Sequence, residues 1–187
     1  MKIVHISGSR NREGKTASMT KAFVEAAVAR GATVDETFLP ELNIERCRQC
    51  DANGWGLCRK SDEGKCVIED DFASVFDKMK EADGILMSTP VYYGSLSESQ
   101  RAFTDRLRRV AAGRPFVKGK PVIMVAVAGG GGGGAPSCIE HMNKLVENCG
   151  MFAADFFPVR RQTMKAKPAQ LARAAESLVA GEYGDSA

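Results

Sequence analysis

Four cysteines stand at Cys47, Cys50, Cys58 and Cys66, in the pattern C-x2-C-x7-C-x7-C. Four thiolates complete a tetrahedral zinc site or the corners of an iron–sulfur cluster. The first two fit one turn of chain around a metal. Gly54, Gly56 and Gly64 lie where the chain must fold back to bring the other two alongside. The same residues also suit a different metal, a disulfide, or a metal-free loop that packs against a partner subunit, and the spacing leaves these readings open.

A second group of chemistry-bearing residues opens the chain, in KIVHISGSRNREGKTAS. Gly14-Lys15-Thr16 matches the end of a nucleotide-binding P-loop, which has four residues between its first glycine and Gly-Lys-Thr. Here five residues, Ser9 to Glu13, separate Gly8 from Gly14. No strand ending in aspartate completes a second P-loop motif, and G-x-G-x-x-G is absent, so a P-loop phosphotransferase is disfavoured. What remains is a strand, a hydroxyl-rich loop and a helix start. First-turn N–H groups are unpaired and the helix dipole is positive there, which favours an anion. Ser9 and Thr16 offer hydroxyls, and Arg10 and Lys15 add charge. One monophosphate fits this cradle. A capped helix behind a tight turn, with Lys15 solvated, is the plain alternative.

These residues need a scaffold, and the hydrophobic pattern supplies one. Short apolar runs at Lys2–Ser7, Thr33–Leu39, Gly84–Thr89, Pro121–Val127 and Phe152–Val159 read as strands. Helical spacing runs over Lys15–Arg30, Asp70–Ala82, Ser97–Val110, Ser137–Asn148 and Ala166–Ala180. Apolar strands alternating with amphipathic helices predict a parallel α/β sheet covered on both faces. The pattern predicts a single domain over 1–181. Residues 40–68 form a cysteine-bearing insertion too long for a plain connection, and 182–187 a disordered tail. In such a sheet the loops after the first, third and fourth strands share one edge, the ligand-binding edge of open α/β folds. The second of these is TPVYYGSLSESQRAFTDR from Thr89, with Tyr92 and Tyr93 as flat apolar surface. The third is AGGGGGGAPS from Ala128, whose glycines let backbone approach a planar ligand, or else serve as a flexible connector.

With these loops in view the chain resembles the flavodoxin-fold NAD(P)H-dependent FMN reductases, on the iron–sulfur flavoprotein branch. The matching stretches are GSRNREGKT at 8–16, TPVYYGS at 89–95 and the cysteine segment ending CVIEDDF at 66–72. The similarity extends over nearly the whole chain. It implies a flavodoxin-like, doubly wound five-stranded parallel sheet of order 2-1-3-4-5, with FMN as cofactor and NAD(P)H as co-substrate. Ser9, Arg10, Lys15, Thr16 and Ala17 would hold the FMN phosphate. Pro90, Val91, Tyr92, Tyr93 and Gly94 would line the isoalloxazine ring, with Gly129 and Gly130 closing its other side. No residue is implied as general acid or base, because the flavin carries the hydride chemistry. Cys47, Cys50, Cys58 and Cys66 would hold a 4Fe–4S cluster. The iron–sulfur flavoproteins have a tighter cysteine pattern, and Asn53 stands where their third cysteine is expected. The extra stretch DANGWGLC would bring Cys58 into that role. A homodimer or homotetramer is implied, with the cysteine loop as a contact.

The expected function is an FMN-dependent oxidoreductase that accepts hydride from NAD(P)H and passes electrons to a quinone, flavin, metal or iron–sulfur acceptor. The alternative is an electron-transfer iron–sulfur flavoprotein or flavodoxin-like carrier without turnover of a small substrate. Of the remaining polar residues, Glu69, Asp70 and Asp71 read as helix caps, His5 and His141 as structural, and Arg108–Arg109 and Arg160–Arg161 as solvated or as contacts for an NADPH 2′-phosphate. Trp55 reads as a flavin cover or a dimer anchor, and Cys138 and Cys149 as ordinary buried residues. The composition, with 44% hydrophobic and 26% charged residues in 187, is that of a soluble domain with a full core. A net charge of +3 is too small to argue for nucleic acid. A strand pattern starting at Lys2 leaves no room for a signal peptide, and no apolar run suggests a membrane span. Six cysteines without a secretory signal predict a reducing, cytoplasmic setting.

Overall fold

A computed structural model describes residues 1–184. Five strands, β1 (Lys2–Ser7), β2 (Thr33–Phe38), β3 (Gly84–Pro90), β4 (Pro121–Ala128) and β5 (Phe152–Arg160), form one sheet of order β2-β1-β3-β4-β5. Every pairing is parallel. Five α-helices connect and follow them: α1 (Lys15–Ala29), α2 (Phe72–Glu81), α3 (Glu98–Ala111), α4 (Ala135–Asn148) and α5 (Lys167–Val179).

Side chains alternate across the strands, so each apolar run feeds two cores. Val4, Ile6, Ile85, Met87, Val122, Met124 and Ala126 face one layer, built with Phe72, Phe76 and Met79 of α2, Phe103 and Leu107 of α3, and Met142 of α4. Ile3, Leu86, Ile123, Val125 and Val127 face the other, built with Met19 and Phe23 of α1 and Leu171, Ala175 and Leu178 of α5. Both faces are thus covered, which explains why the central strand β4 is apolar throughout.

Two helix starts differ from the sequence pattern. α4 begins at Ala135 rather than Ser137, because Pro136 in the first turn needs no N–H partner and has a helical φ. α2 begins at Phe72 rather than Asp70, which precedes the helix and accepts from its first N–H (3.1 Å). The long insertion contains only 3₁₀ turns, at Leu57–Lys60 and, at its edge, Leu39–Glu41. Of the segment expected to be a disordered tail, Glu182 accepts from Ser177 Oγ (2.6 Å) and the Tyr183 hydroxyl donates to Asp155 (3.2 Å). Residues 185–187 lie outside the described residues. Among the described residues no helix is long and apolar enough to cross a membrane.

Candidate functional site

The sheet reverses direction of winding between β1 and β3, and a crevice opens beyond their C-terminal ends. The base of this crevice is fixed by Ser97, the N-cap of α3. Its hydroxyl donates to the Gly8 carbonyl (2.9 Å), while its N–H donates to Thr89 Oγ1 (3.1 Å). Gly8 N–H in turn donates to the Ser88 carbonyl (2.8 Å). A Cβ on Gly8 would stand 2.5 Å from Ser97 Oγ, so only glycine lets the first loop approach α3 this closely.

The first loop winds on itself before α1. Gly14 N–H donates to the Asn11 carbonyl, Glu13 N–H to the Asn11 side chain, and Ser9 Oγ to the Asn11 carbonyl. Gly14 caps α1 in an extended conformation without a side-chain acceptor, and no acidic residue lies in the first turn. Serine, threonine or aspartate at such a position normally satisfies these N–H groups. Here the helix offers them, with its positive dipole end, to an external anion. Lys15 Nζ reaches across to the Gly129 carbonyl (3.2 Å) and so ties the first loop to the third. Arg10 is exposed beside a cavity of ≈ 330 Å³ bordered by Gly8, Leu39, Pro40, Tyr92 and Ser99. Arg12 turns the other way, forked onto Glu41 and lying 4.0 Å over the Phe38 ring.

The second loop makes a two-residue turn. Tyr92 and Ser95 exchange both backbone hydrogen bonds, and Tyr93 and Gly94 have φ of 50° and 74°. Positive φ at both central positions is the type I′ arrangement. Glycine adopts it freely, whereas a tyrosine there is strained by about 1–3 kcal/mol, a cost concentrated at functional sites. The Tyr93 ring stands fully in solvent. Val91 N–H is taken by the Val127 carbonyl and Tyr92 N–H by Ser95, leaving Tyr93 and Gly94 as the open backbone donors of this turn.

The third loop presses against the second through backbone alone. A Cβ on Gly134 would fall 2.6 Å from Gly94 Cα, 3.0 Å from its N and 3.1 Å from Val91 Cγ1, whereas one on Gly133 meets open space. Gly134→Ala is therefore expected to lower stability by about 1–3 kcal/mol through overpacking. Gly133→Ala is expected to stay within about 0.5 kcal/mol of the parent, as surface substitutions do. Urea unfolding of the pair checks this, and equal midpoints would mean that the two loops do not meet.

The cysteine segment folds as a single bracketed loop. Cys58 is buried, while Cys47, Cys50 and Cys66 are half-buried. Burial pushes the Cys58 thiol pKa up, and the charges of Cys66, Cys50 and Cys47 act in the same sense. Leu57 N–H points at Cys50 Sγ (3.4 Å). Gly56, at φ 90°, approaches so closely that a Cβ would stand 3.3 Å from Cys58 Sγ. Among the described residues, no three cysteine, histidine or acidic groups stand close enough to hold one metal ion. A lone tetrahedral zinc, with Zn–S of ~2.3 Å, needs its thiolates ~3.8 Å apart. A cluster gives each thiolate its own iron and spreads them further.

Three arginines hold this loop to the domain. Arg106 of α3 is 1% exposed and donates to the carbonyls of Glu45 and Ile68 (both 3.2 Å) and to the Asp70 carboxylate (2.5 Å). Arg109 donates to the Trp55 carbonyl (3.1 Å). Arg114 donates to the carbonyls of Arg59 and Ser61. At the tip, Asp51 accepts from the N–H groups of Gly56, Trp55 and Asn53, which hold its carboxyl below the usual range. Burial alone would raise the Asp70 carboxyl, but Arg106 and the N–H groups of Glu45 and Phe72 pull it below the usual carboxylate value.

Two sequence readings are corrected here. Helix capping accounts for the acidic triplet only in part: Asp70 accepts from the Phe72 N–H at the start of α2 (3.1 Å) but is also a buried counter-ion, and Asp71 accepts from Asn43 N–H (2.7 Å). Arg109, half-exposed on α3, does more than face solvent, since its guanidinium donates to the Trp55 carbonyl of the cysteine loop. His5 is structural as expected, bridging Glu36 (3.0 Å) and Ser88 (2.9 Å) inside the sheet, and His141 is exposed on α4. Trp55 is largely exposed, with Arg59 at 5.0 Å over its ring. Ser97 and Arg106 escaped the sequence reading. Ser97-x-x-Gln100 carries a capping-box signal, and Arg106 falls at helical spacing on the buried Phe103–Leu107–Val110 face of α3.

Residues 1–162 match the protein family described as NADPH-dependent FMN reductase. An iron–sulfur flavoprotein of Methanosarcina thermophila is 31% identical over 151 residues, which is 81% of this chain and 75% of that protein. An iron–sulfur flavoprotein of Methanocaldococcus jannaschii is 34% identical over 113 residues, or 60% of this chain, and the chain spans 55% of its length. Among solved structures, a flavone reductase superposes with a TM-score of 0.68 at 23% identity, covering 94% of this chain and 60% of that one, which shows a common fold.

Proposed function

Since the chain belongs to the NADPH-dependent FMN reductase family, we propose that it binds FMN at the crevice, takes hydride from NAD(P)H there, and passes electrons to an acceptor. The observation that carries this reading is the uncapped start of α1 behind Gly14, an anion cradle without an internal anion, closed over by Lys15. In it the N–H groups of Lys15, Thr16 and Ala17, with Ser9 and Arg10 alongside, bind the phosphate. The open N–H groups of Tyr93 and Gly94 hydrogen-bond the ring edge, and Pro90, Val91 and Tyr92 support its underside. Gly129 and Gly130 leave room on the opposite side, where any side chain would obstruct. When bound, the flavin supplies the hydride chemistry. The chain's own task is to orient the ring, exclude water from its buried face and leave one face open to the nicotinamide. Steady NAD(P)H oxidation by the FMN-loaded protein, assayed with a quinone, free FMN and ferric iron, tests the reading. Absence of turnover with all three would favour a carrier.

The four cysteines of this one loop, and the relatives named iron–sulfur flavoproteins, support a second element of the same reading, in which Cys47, Cys50, Cys58 and Cys66 hold a 4Fe–4S cluster. Such a group supplies one-electron transfer, which suits a protein acceptor or donor alongside the nicotinamide. The exposed Trp55 and the loop around it provide the contact for a second copy of the chain in a homodimer or homotetramer. Iron and acid-labile sulfide in anaerobically purified protein are expected at cluster stoichiometry. Serine at any of the four positions is expected to remove most of the iron, while Cys138→Ala on α4 leaves it. Iron-free parent protein after reconstitution would reduce the segment to a structural loop.

A further inference from the structure

The signature Ser97-x-x-Gln100 predicts that the Gln100 side chain reaches back to the Ser97 N–H at the start of α3. In the structure Thr89 Oγ1 takes that N–H (3.1 Å), and the Gln100 amide is left over. It lies on the inner face of α3 with Phe103, Thr104 and Leu107, and the residue is 0% exposed. Among the described residues three buried side-chain nitrogen or oxygen atoms lack a hydrogen-bond partner, and two of them are Nε2 and Oε1 of Gln100. An apolar side chain of the same shape would fill this space without leaving a donor and an acceptor unmatched, so packing does not ask for an amide here. A buried polar group of this kind calls for an explanation of its own.

What the amide faces is the first loop. A Cβ on Gly8 would stand 2.9 Å from Gln100 Cβ and 3.0 Å from its Oε1, so the amide lies directly against the residue that leads into Ser9. Gly8 itself is fully engaged. Its N–H donates to the Ser88 carbonyl, and its carbonyl accepts from Ser97 Oγ (2.9 Å) and Ser99 Oγ (3.4 Å). Beyond Gly8 the loop is loosely held. Ser9 N–H donates to Ser7 Oγ at 3.3 Å, Ser9 Oγ to the Asn11 carbonyl at 3.2 Å, and Gly14 N–H to the same carbonyl at 3.2 Å, all at the long end of the hydrogen-bond range. Such bonds exchange easily, and an anion at the start of α1 competes directly for the Ser9 hydroxyl.

Resting on the FMN reading above, we propose that Gln100 is a positioning residue for the flavin phosphate and acts through the Gly8–Arg10 backbone. When the Ser9 hydroxyl turns from Asn11 to the phosphate, the peptide groups beside Gly8 turn with it. The amide beneath then supplies the donor and the acceptor that hold them in place. The side chain does not touch the phosphate. It is unmatched in one arrangement of the loop and matched in the other, and so it shifts the balance toward the arrangement that binds the anion.

The test uses two ligands that differ only by the phosphate, FMN and riboflavin. Full-length protein is stripped of any bound flavin and titrated with each. Gln100→Met, which is close in length and volume, is expected to raise the Kd for FMN about tenfold, the contribution of one hydrogen bond, and to leave the Kd for riboflavin at the parent value. Its urea midpoint without flavin is expected to lie above the parent's, since the unmatched amide is gone. Gln100→Leu gives the same readings should the methionine variant fail to fold. A higher midpoint with an unchanged FMN Kd would make the amide a plain cost to the fold and overturns the proposal. A lower midpoint with both flavins weakened alike would make Gln100 a structural support, which overturns it too. Parent protein that binds FMN no more tightly than riboflavin overturns the phosphate reading at α1 itself, whereas a parent that favours FMN, with variants that favour it equally, overturns the Gln100 role alone.

Discussion

Lys15→Glu is expected to raise the Kd for FMN by about 100-fold while leaving the apoprotein as stable as its parent or slightly more so. The two effects separate because the residue sits at the start of α1. A carboxylate at that position complements the helix dipole and contributes about 0.3–1 kcal/mol to the apoprotein. The same carboxylate occupies the N–H cradle that Gly14 leaves uncapped and repels a phosphate placed there. Loss of a charge-assisted hydrogen bond of about 1.5–3 kcal/mol, with added repulsion, reaches the two decades predicted. The substitution also removes the Nζ contact to the Gly129 carbonyl, which holds the first and third loops together. Flavin fluorescence quenching measures the affinity, and thermal unfolding of the apoprotein measures the stability. An unchanged Kd would place the phosphate away from this helix. Equal losses of affinity and stability would mean that the loop had simply come apart.

Asp70→Ala is expected to cost about 3–5 kcal/mol, the penalty for removing one partner of a buried ion pair and leaving the other charged. Both side chains are 1% exposed, so water cannot take over from the lost carboxylate. The N–H groups of Glu45 and Phe72 lose their acceptor at the same time. Urea unfolding measures the loss, and a value below about 1 kcal/mol would mean that the guanidinium finds compensation elsewhere. The pair also sets an acid limit. The Asp70 carboxyl is held below its ordinary pKa in the folded protein. Its contribution is complete above the unfolded value of about 3.9 and is lost as pH falls through the lower folded value. In Asp70→Asn, which has no proton to take up there, stability is expected to fall less steeply below pH 4 than in the parent.

The strands, the helices and their order were legible because each rests on a local, repeating pattern. Val122 to Val127 is apolar at every position because both faces of β4 are covered, and Phe103, Leu107 and Val110 mark the inner face of α3 by spacing alone. The Ser9–Ala17 loop was legible for a related reason, since a helix start lacking a capping acceptor is a property of a few consecutive residues. The position of Lys15 over Gly129 was not, because those residues stand 114 apart and meet only when β1 and β4 are aligned in one sheet. The contact between Gly134 and Gly94 likewise depends on two loops leaving neighbouring strands at one height. A run of six glycines says that backbone is free to approach something, but not which glycine is pressed and which is in open space.

The cysteine segment divides in the same way. Its residue types and spacing, by themselves, determined that four thiols lie in one irregular loop and that several fates were open to them. Only the tertiary structure decided that Arg106, Arg109 and Arg114 close the loop by its carbonyls. It also made Asp70, beside its contact to the first N–H of α2, the counter-ion of an arginine 36 residues away. The physical reason is that hydrophobic burial is patterned along the chain, so periodicity records it. The partner of a buried charge is chosen by what else the fold brings within about 3 Å, and no local pattern carries that information.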